Sequence, residues 1–315
     1  MARIVSIGAA LQEVYLIDHD DLGPSRFLEG SKVDIDNLYY GVDGGGINSA
    51  VTFARFGHET VLLSNIARDT AGEAIVSVLD KEEIDSSYIN VVSKKSTGTA
   101  VVLLDSKSKE RKILTYHGAS GSYSNFSEKD LDLIQPDWLY ASSLNGDMET
   151  LLRFFEKAHE IGAKVMFNPG EKELDEAQKL VGLLSDVDVL IVNKREAARI
   201  VPGTVLVELL CHLNNYVPMA IITDGPMGGI AGDRSRSDYY RFGIYEDIKV
   251  RDITGAGDAF ASGFLAAYAG GKSFRSSLVF ASANATEIIK TVGASDKILS
   301  RDAELHMMPI QKMQA

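Results

Sequence analysis

Short runs rich in valine, isoleucine and leucine recur at residues 4–7, 61–63, 138–141, 165–167, 187–192 and 219–222. They are apolar throughout rather than alternating, the pattern of strands covered on both faces of a parallel sheet. Between them lie longer stretches with helical spacing, such as 48–56, 148–161 and 173–184. Strand followed by helix, repeated, predicts an α/β core with a doubly wound, mostly parallel sheet.

Two regions break that rhythm. Residues 15–41 and 97–118 alternate polar and apolar positions, as half-exposed strands do. The clearest pair is 99–105 and 111–116, joined by the polar, turn-prone stretch 105–110, which predicts an antiparallel hairpin. We read both regions as a small sheet projecting over one end of the core; the alternative is an edge extension of the main sheet. Residues 307–315 read as a loosely held tail.

A chain of 315 residues suits one large α/β domain. No segment approaches the roughly 18 continuous apolar residues that a membrane span needs, and the first residues read as a buried strand rather than an export signal. A cytoplasmic protein with no membrane partner is expected. The net charge of −12 argues against nucleic acid as a partner, because that grip needs clustered lysine and arginine. Cys211 is the single cysteine, so it forms no internal disulfide and no CxxC site, and it reads as a packed small residue.

The most informative segment runs from Arg251 through Asp252, Ile253, Thr254, Gly255, Ala256, Gly257 and Asp258 into a helix of small residues. Glycines at a helix start present bare N–H groups where the helix dipole favours an anion. Asp258 then sits in the first turn, placed to take a proton from a hydroxyl lying in line with a phosphoryl group. Read alone, Thr254 and Asp258 equally suit simple helix caps. At the other end of the chain, Gly44, Gly45 and Gly46 precede Asn48 at the start of a second helix. Asn48 offers a donor and an acceptor to hydroxyl groups, or else caps that helix.

Together these segments resemble the two signatures of the ribokinase-like (PfkB) carbohydrate kinases. Residues 65–72 resemble the family's IGxDxxG run, with Ala67 in place of its first glycine. Asn193 and Glu196, after one predicted strand, resemble NxxE; Thr223, Gly225 and Gly228, after the next, resemble TxGxxG. Two look-alikes fail. Residues 270–273 lack the earlier glycine of a P-loop, where Ala266 stands, and Ser49 breaks a dinucleotide fingerprint.

The resemblance spans residues 4–294 and implies a three-layer α/β/α core with a small β-sheet lid, one domain over 1–315 with lid segments at about 12–43 and 96–120. It implies ATP with Mg²⁺, Asp258 as the catalytic base, and an anion hole at Gly255, Ala256 and Gly257. Thr254, Gly255 and Gly257 with Asn193, Thr223, Gly225 and Gly228 would meet the nucleotide. Asn284, with the turn at 293–294, would face its base. Asn193 and Glu196 would organise Mg²⁺ through water; Asp252 and the Thr254 backbone are candidates for a K⁺ site.

Glu13 stands where the family commonly has a substrate-binding aspartate, although a surface acid is an equal reading. The substrate would meet Gly44, Gly45, Gly46, Asn48, Tyr116, His117, Asn145, Asn168 and Asp258. A free sugar, such as ribose, a ketohexose or a sugar acid, is the first expectation, since no lysine or arginine stands in 44–50. A sugar phosphate, met by Arg55, Arg68 or Arg111, is an alternative. So is a nucleoside, its base held by Tyr15, Tyr39 or Tyr116. A non-catalytic sugar or nucleotide sensor is the alternative outside the enzyme class. The resemblance also implies a homodimer through the lid.

Overall fold

The computed structural model describes residues 1–18, 32, 34–105, 111–245, 248–290 and 298–313. The chain begins with β1 (Arg3–Ile7), β2 (Leu11–Asp18), β3 (Asn37–Asp43), α1 (Gly45–Phe56), β4 (Glu59–Leu63), β5 (Asn65–Ile66) and α2 (Thr70–Lys81). Next come β6 (Asn90–Val91), β7 (Thr99–Asp105), β8 (Arg111–Tyr116), α3 (Asp130–Ile134), β9 (Trp138–Ala141), α4 (Met148–Glu160) and β10 (Lys164–Phe167). Helices α5 (Glu171–Asp175) and α6 (Ala177–Leu183) lead to β11 (Val189–Asn193), α7 (Lys194–Ile200), α8 (Leu206–Leu213) and β12 (Met219–Thr223). The chain ends with β13 (Gly229–Asp233), β14 (Asp238–Phe242), α9 (Ala256–Ala269), α10 (Phe274–Ile289) and β15 (Ile310–Met313).

Nine strands form the main sheet in the order β15-β14-β13-β12-β11-β10-β9-β1-β4. From β12 to β4 every pairing is parallel, whereas β13, β14 and β15 are added antiparallel. Alternate residues serve opposite layers. Val5, Ile7, Leu139 and Val165 pack with Phe154, Leu183 and Leu209 of α4, α6 and α8. Ile4, Tyr140, Met166 and Ile191 pack with Phe53, Phe264 and Phe280 of α1, α9 and α10. Both faces are thus apolar, which is why these strands show no polar alternation.

The second sheet is separate, in the order β3-β2-β7-β8. Strands β2 and β7 pair parallel, with β3 and β8 antiparallel outside them. No edge extension of the main sheet is made, because β2 leaves β1 after residues 8–10 and takes its partners from β3 and β7. The turn at 106–110 lies outside the described residues.

Two expectations fail. Cys211 is exposed, since its position on α8 turns outward while Leu209, Leu210 and Leu213 face the core. The C-terminal segment is no loose tail up to residue 313: β15 pairs with β14 from Ile310↔Phe242 to Met313↔Tyr239, closing an edge that would otherwise present unpaired backbone groups.

Candidate active site

In the main sheet, β1 has β4 on one side and β9 on the other, so the chain reverses its direction of winding there. Loops at the carboxyl ends of such strands part and leave a crevice. A pocket of about 280 Å³ lies there, lined by Ala9, Leu11, Gly44, Gly45, His117, Ser142, Ser143, Asn145, Asn168 and Asp258 among others.

Glycine is required at the floor. A Cβ on Gly46 would stand 2.6 Å from the carbonyl carbon of Gly8, and one on Gly8 would stand 2.0 Å from Ser142 Oγ. The start of α1 is therefore pressed onto the loop after β1, and the Gly46 and Ile47 N–H groups donate to Ala9 O at 3.0 and 3.2 Å. Helix α1 consequently begins at Gly45, earlier than its apolar spacing predicts. A side chain at Gly45 would collide with Ser142 and reach toward Asp258 Oδ1, 3.8 Å from the position of its Cβ.

Asp258 lies in the first turn of α9, after Gly255 at φ 72°. Gly257 faces open space, leaving the first N–H groups of this helix approachable by an anion. Burial, then the nearby Asp43, push the Asp258 carboxyl up to about 7, with Glu196 adding and an Asn48 hydrogen bond opposing. A carboxylate tuned near neutrality suits a general base.

Asn48 is 3% exposed, and its Nδ2 donates to Asp43 Oδ1 at 2.5 Å. Glu13 is 1% exposed and does not line the pocket; Leu11, two residues earlier on β2, does. This decides against a surface acid and also against direct lining of the described pocket. His117, Asn145 and Asn168 do line it, with Asn168 Nδ2 donating to Ile191 O at 2.9 Å. Tyr116 does not; it is 53% exposed, because β8 is an outer strand. Tyr15 is fully buried, so it offers no open slot for a base. Arg55 pairs with Glu82 at 2.7 Å and lies outside the pocket lining.

One residue missed in the sequence holds this pocket in shape. Buried Glu173 accepts hydrogen bonds from Ser143 Oγ, Leu144 N, Gly146 N and Gly170 N at 2.7–3.0 Å. It fastens together the loops after β9 and β10. In the 65–72 run, Asp69 accepts from Gly72 N at 2.9 Å and from Thr97 N at 2.8 Å, joining α2 to the foot of β7. Gly72 is needed there because its Cβ would stand 2.2 Å from Ala67 O.

A second cavity, of about 500 Å³, is lined by Tyr245, Ile248, Ala283, Thr286, Glu287, Leu299 and residues 304–307, with Pro309. Its size suits a nucleoside portion. The preceding hairpin turns at Gly225, φ 52°, which faces open space, and at Gly228, φ 77°, whose Cβ would stand 2.0 Å from Phe242 O. Gly225 can therefore meet a ligand, while Gly228 serves close packing. Thr223 ends β12 beside Asn193 of β11.

Asn284 does not face this cavity. It is fully buried; its Nδ2 donates to Ala259 O at 2.8 Å and its Oδ1 accepts from Leu299 N at 2.9 Å. It ties the first turn of α9 to a wall of the nucleotide-sized cavity. The turn at 293–294 lies outside the described residues.

Asn193 and Glu196 close a reciprocal cap on α7: Asn193 Oδ1 accepts from Arg195 N and Glu196 N, and Glu196 Oε2 accepts from Asn193 N at 2.8 Å. The other Glu196 oxygen takes part in none of these bonds, and a carboxylate oxygen is the kind of ligand that Mg²⁺ takes directly or through water. No cluster of three or more His, Cys, Asp or Glu able to cage a metal occurs among the described residues. Asp252 Oδ1 accepts from Thr254 N at 3.0 Å and Oγ1 at 2.8 Å, while Tyr15 Oη donates to Oδ2 at 3.4 Å. Both oxygens are thus already engaged within the chain.

A pocket for a hydroxylated acceptor, a carboxylate tuned near neutrality and an anion-binding helix start describe a small-molecule phosphotransferase. Residues 1–301 match the pfkB family carbohydrate kinase, and the chain belongs to that family, the ATP-dependent kinases of sugars and related molecules. It is 28% identical over 302 residues to a ribokinase of Haemophilus influenzae, covering 92% of this chain and 95% of the relative. It is 27% identical over 269 residues to a nucleoside kinase of Methanothermobacter thermautotrophicus, covering 81% and 80%. The solved structure of Arabidopsis thaliana ribokinase complexed with ribose and ATP has the same fold, with a TM-score of 0.82 at 22% identity over 95% of this chain and 96% of that one. Among the described residues, no helix is long and apolar enough to cross a membrane.

Proposed function

We propose that this chain transfers the γ-phosphoryl group of ATP to a hydroxyl of a small free sugar, with Asp258 as general base. The observation that carries this reading is the position of Asp258: its carboxylate lines the acceptor pocket while its backbone belongs to the anion-binding turn of α9. Proton acceptor and phosphoryl-binding N–H groups are then built on one rigid turn, which fixes the approach of hydroxyl to phosphorus.

In this reading Asn145, Asn168 and His117 orient the acceptor. The N–H groups around Ala256 and Gly257 stabilise charge on the transferring group. Gly225 and the cavity beside Tyr245 receive the rest of the nucleotide. Mg²⁺, when bound, neutralises phosphate charge, with Glu196 as its contact through water. The separate sheet acts as a lid, excluding water that would otherwise compete with the acceptor. We assign the whole chain to one kinase domain, with this lid inserted at about 12–43 and 96–120. A cytoplasmic location accords with the lone cysteine.

A free sugar is favoured over a nucleoside because Tyr15 is buried and Tyr39 and Tyr116 are absent from the acceptor pocket lining. Leu38, Tyr40, Leu114 and Tyr116 on the outer lid strands are half-exposed or more, an apolar surface that a second copy of the chain would cover.

The test is Mg·ATP consumption by the purified protein with pentoses, hexoses, sugar acids, sugar phosphates and nucleosides. Turnover should require an acceptor and fall 10²–10⁴-fold in Asp258→Asn, with ATP binding retained. Undiminished turnover in that variant would remove Asp258 from its role; bound ATP with no turnover on any acceptor would favour a sensor.

A further inference from the structure

We propose that Ser120 is a positioning residue whose hydroxyl seats the second sheet over the acceptor pocket and so suppresses ATP hydrolysis in the absence of an acceptor. This rests on the kinase reading above and assigns a residue to its lid.

Ser120 lies in the short turn Gly118–Gly121 that follows β8. It lines the acceptor pocket but is only 1% exposed. Its Oγ donates to Ala10 O at 2.6 Å, has Asn65 O within reach at 3.1 Å, and accepts from Gly98 N at 3.1 Å. Ala10 immediately precedes β2, Gly98 immediately precedes β7, and Ser120 itself follows β8. The feet of three of the four strands of the second sheet therefore meet at one buried hydroxyl.

The foot of β7 is fastened firmly to α2. Thr97 N and Oγ1 donate to Asp69 at 2.8 and 2.6 Å, and Thr97 Oγ1 accepts from Ala67 N at 2.8 Å. The foot of β2 is joined to this fixed point by Gln12 N, which donates to Gly98 O at 2.9 Å, and by Ser120 at Ala10 O. One residue earlier, Ala9 O accepts from the Gly46 and Ile47 N–H groups at the start of α1. Ala9 and Leu11 both line the acceptor pocket, so this wall is pinned by α1 on one side and by Ser120 on the other. The hydroxyl thus carries the position of β7 across to β2 and to the pocket.

The packing is matched to serine. A Cβ on Gly98 would stand 2.9 Å from both Cβ and Oγ of Ser120, so a side chain at 98 would push the hydroxyl off its partners. Removing the hydroxyl leaves Gly98 N and Ala10 O unsatisfied at a buried junction. A small change of angle there becomes a larger displacement at the far end of β2, eight residues long, and a lid displaced in this way admits water.

The test measures ATP hydrolysis with and without acceptor in the wild type, Ser120→Ala and Gly98→Ala. The acceptor is whichever of ribose, fructose and gluconate the wild type turns over fastest. Ser120→Ala should raise the KM for the acceptor about fivefold to a hundredfold, the span of a buried pair left unsatisfied, with the KM for ATP changed less than about twofold. The ratio of acceptor-independent hydrolysis to acceptor phosphorylation should rise about tenfold. Gly98→Ala, which leaves Ser120 in the chain, should move both quantities in the same direction. A merely structural hydroxyl would lower the urea midpoint and leave the KM for the acceptor and the hydrolysis ratio as in the wild type. That result would overturn the proposal, as would an equal rise in both KM values. Absence of turnover by the wild type on every acceptor of the panel above would instead remove the kinase reading on which the proposal stands.

Discussion

Asp258→Asn should make the protein more stable above neutral pH while abolishing most of its turnover. The Asp258 carboxyl rises from an ordinary 3.8 to about 7 in the fold, mainly through burial and then through Asp43. The folded protein therefore holds this proton more tightly than the unfolded chain. No stability is lost to the group below about pH 4; the cost grows as pH rises and is complete above pH 7. An interval from 3.8 to about 7 corresponds to about 4 kcal/mol, at about 1.4 kcal/mol for each tenfold change in proton affinity. Asp258 borders the pocket and is partly wet, so screening reduces this, and a measurable difference of about 2 kcal/mol is expected. Asparagine keeps the shape and carries no charge. Urea unfolding of wild type and variant at pH 8 and pH 5, without ligand, measures the gap. The variant should be the more stable at pH 8, with the advantage shrinking toward pH 5. A variant less stable than wild type at pH 8, or a gap that ignores pH, would refute the reasoning.

Two further substitutions probe residues that position the site. Asn284→Ala should cost about 1–3 kcal/mol in urea unfolding, since Ala259 O and Leu299 N lose a buried partner, and the KM for ATP should rise more than that for the acceptor. Glu173→Gln should show the converse. Each carboxylate oxygen receives two donors, so either orientation of the amide sets an NH₂ against N–H or O–H groups. A loss of about 3 kcal/mol is expected, with the KM for the acceptor raised and that for ATP little changed; steady-state kinetics in both substrates decides it.

The central strands were legible because burial on both faces removes polar alternation, and the run at Trp138–Ala141 has the same bounds in the structure. The strands of the second sheet were legible for the opposite reason. Helix starts were harder: the glycines before Asn48 carry no helical signal, yet the close approach to Gly8 draws Gly45 and Gly46 into α1. Asn284 lies in a helix of small residues, and nothing local tells a ligand contact from a buried strut whose partners stand 25 and 15 positions away. Glu173 carries no local signal, because its donors come from the loops after β9 and β10. Residues 310–313 are too few for a reliable alternation, and their order comes from the edge of β14.

The nucleotide-sized cavity is walled on one side by residues 304–307 and Pro309, and β15 just beyond them closes the sheet. During synthesis, the residues that line the smaller pocket have all been made once Asp258 has been added. The wall of the larger cavity arrives later, with residues 304–307 and Pro309. Synthesis thus completes the lining of the pocket that holds Asp258 before that of the cavity beside Tyr245, and a chain that stops short of Pro309 carries the first without one wall of the second.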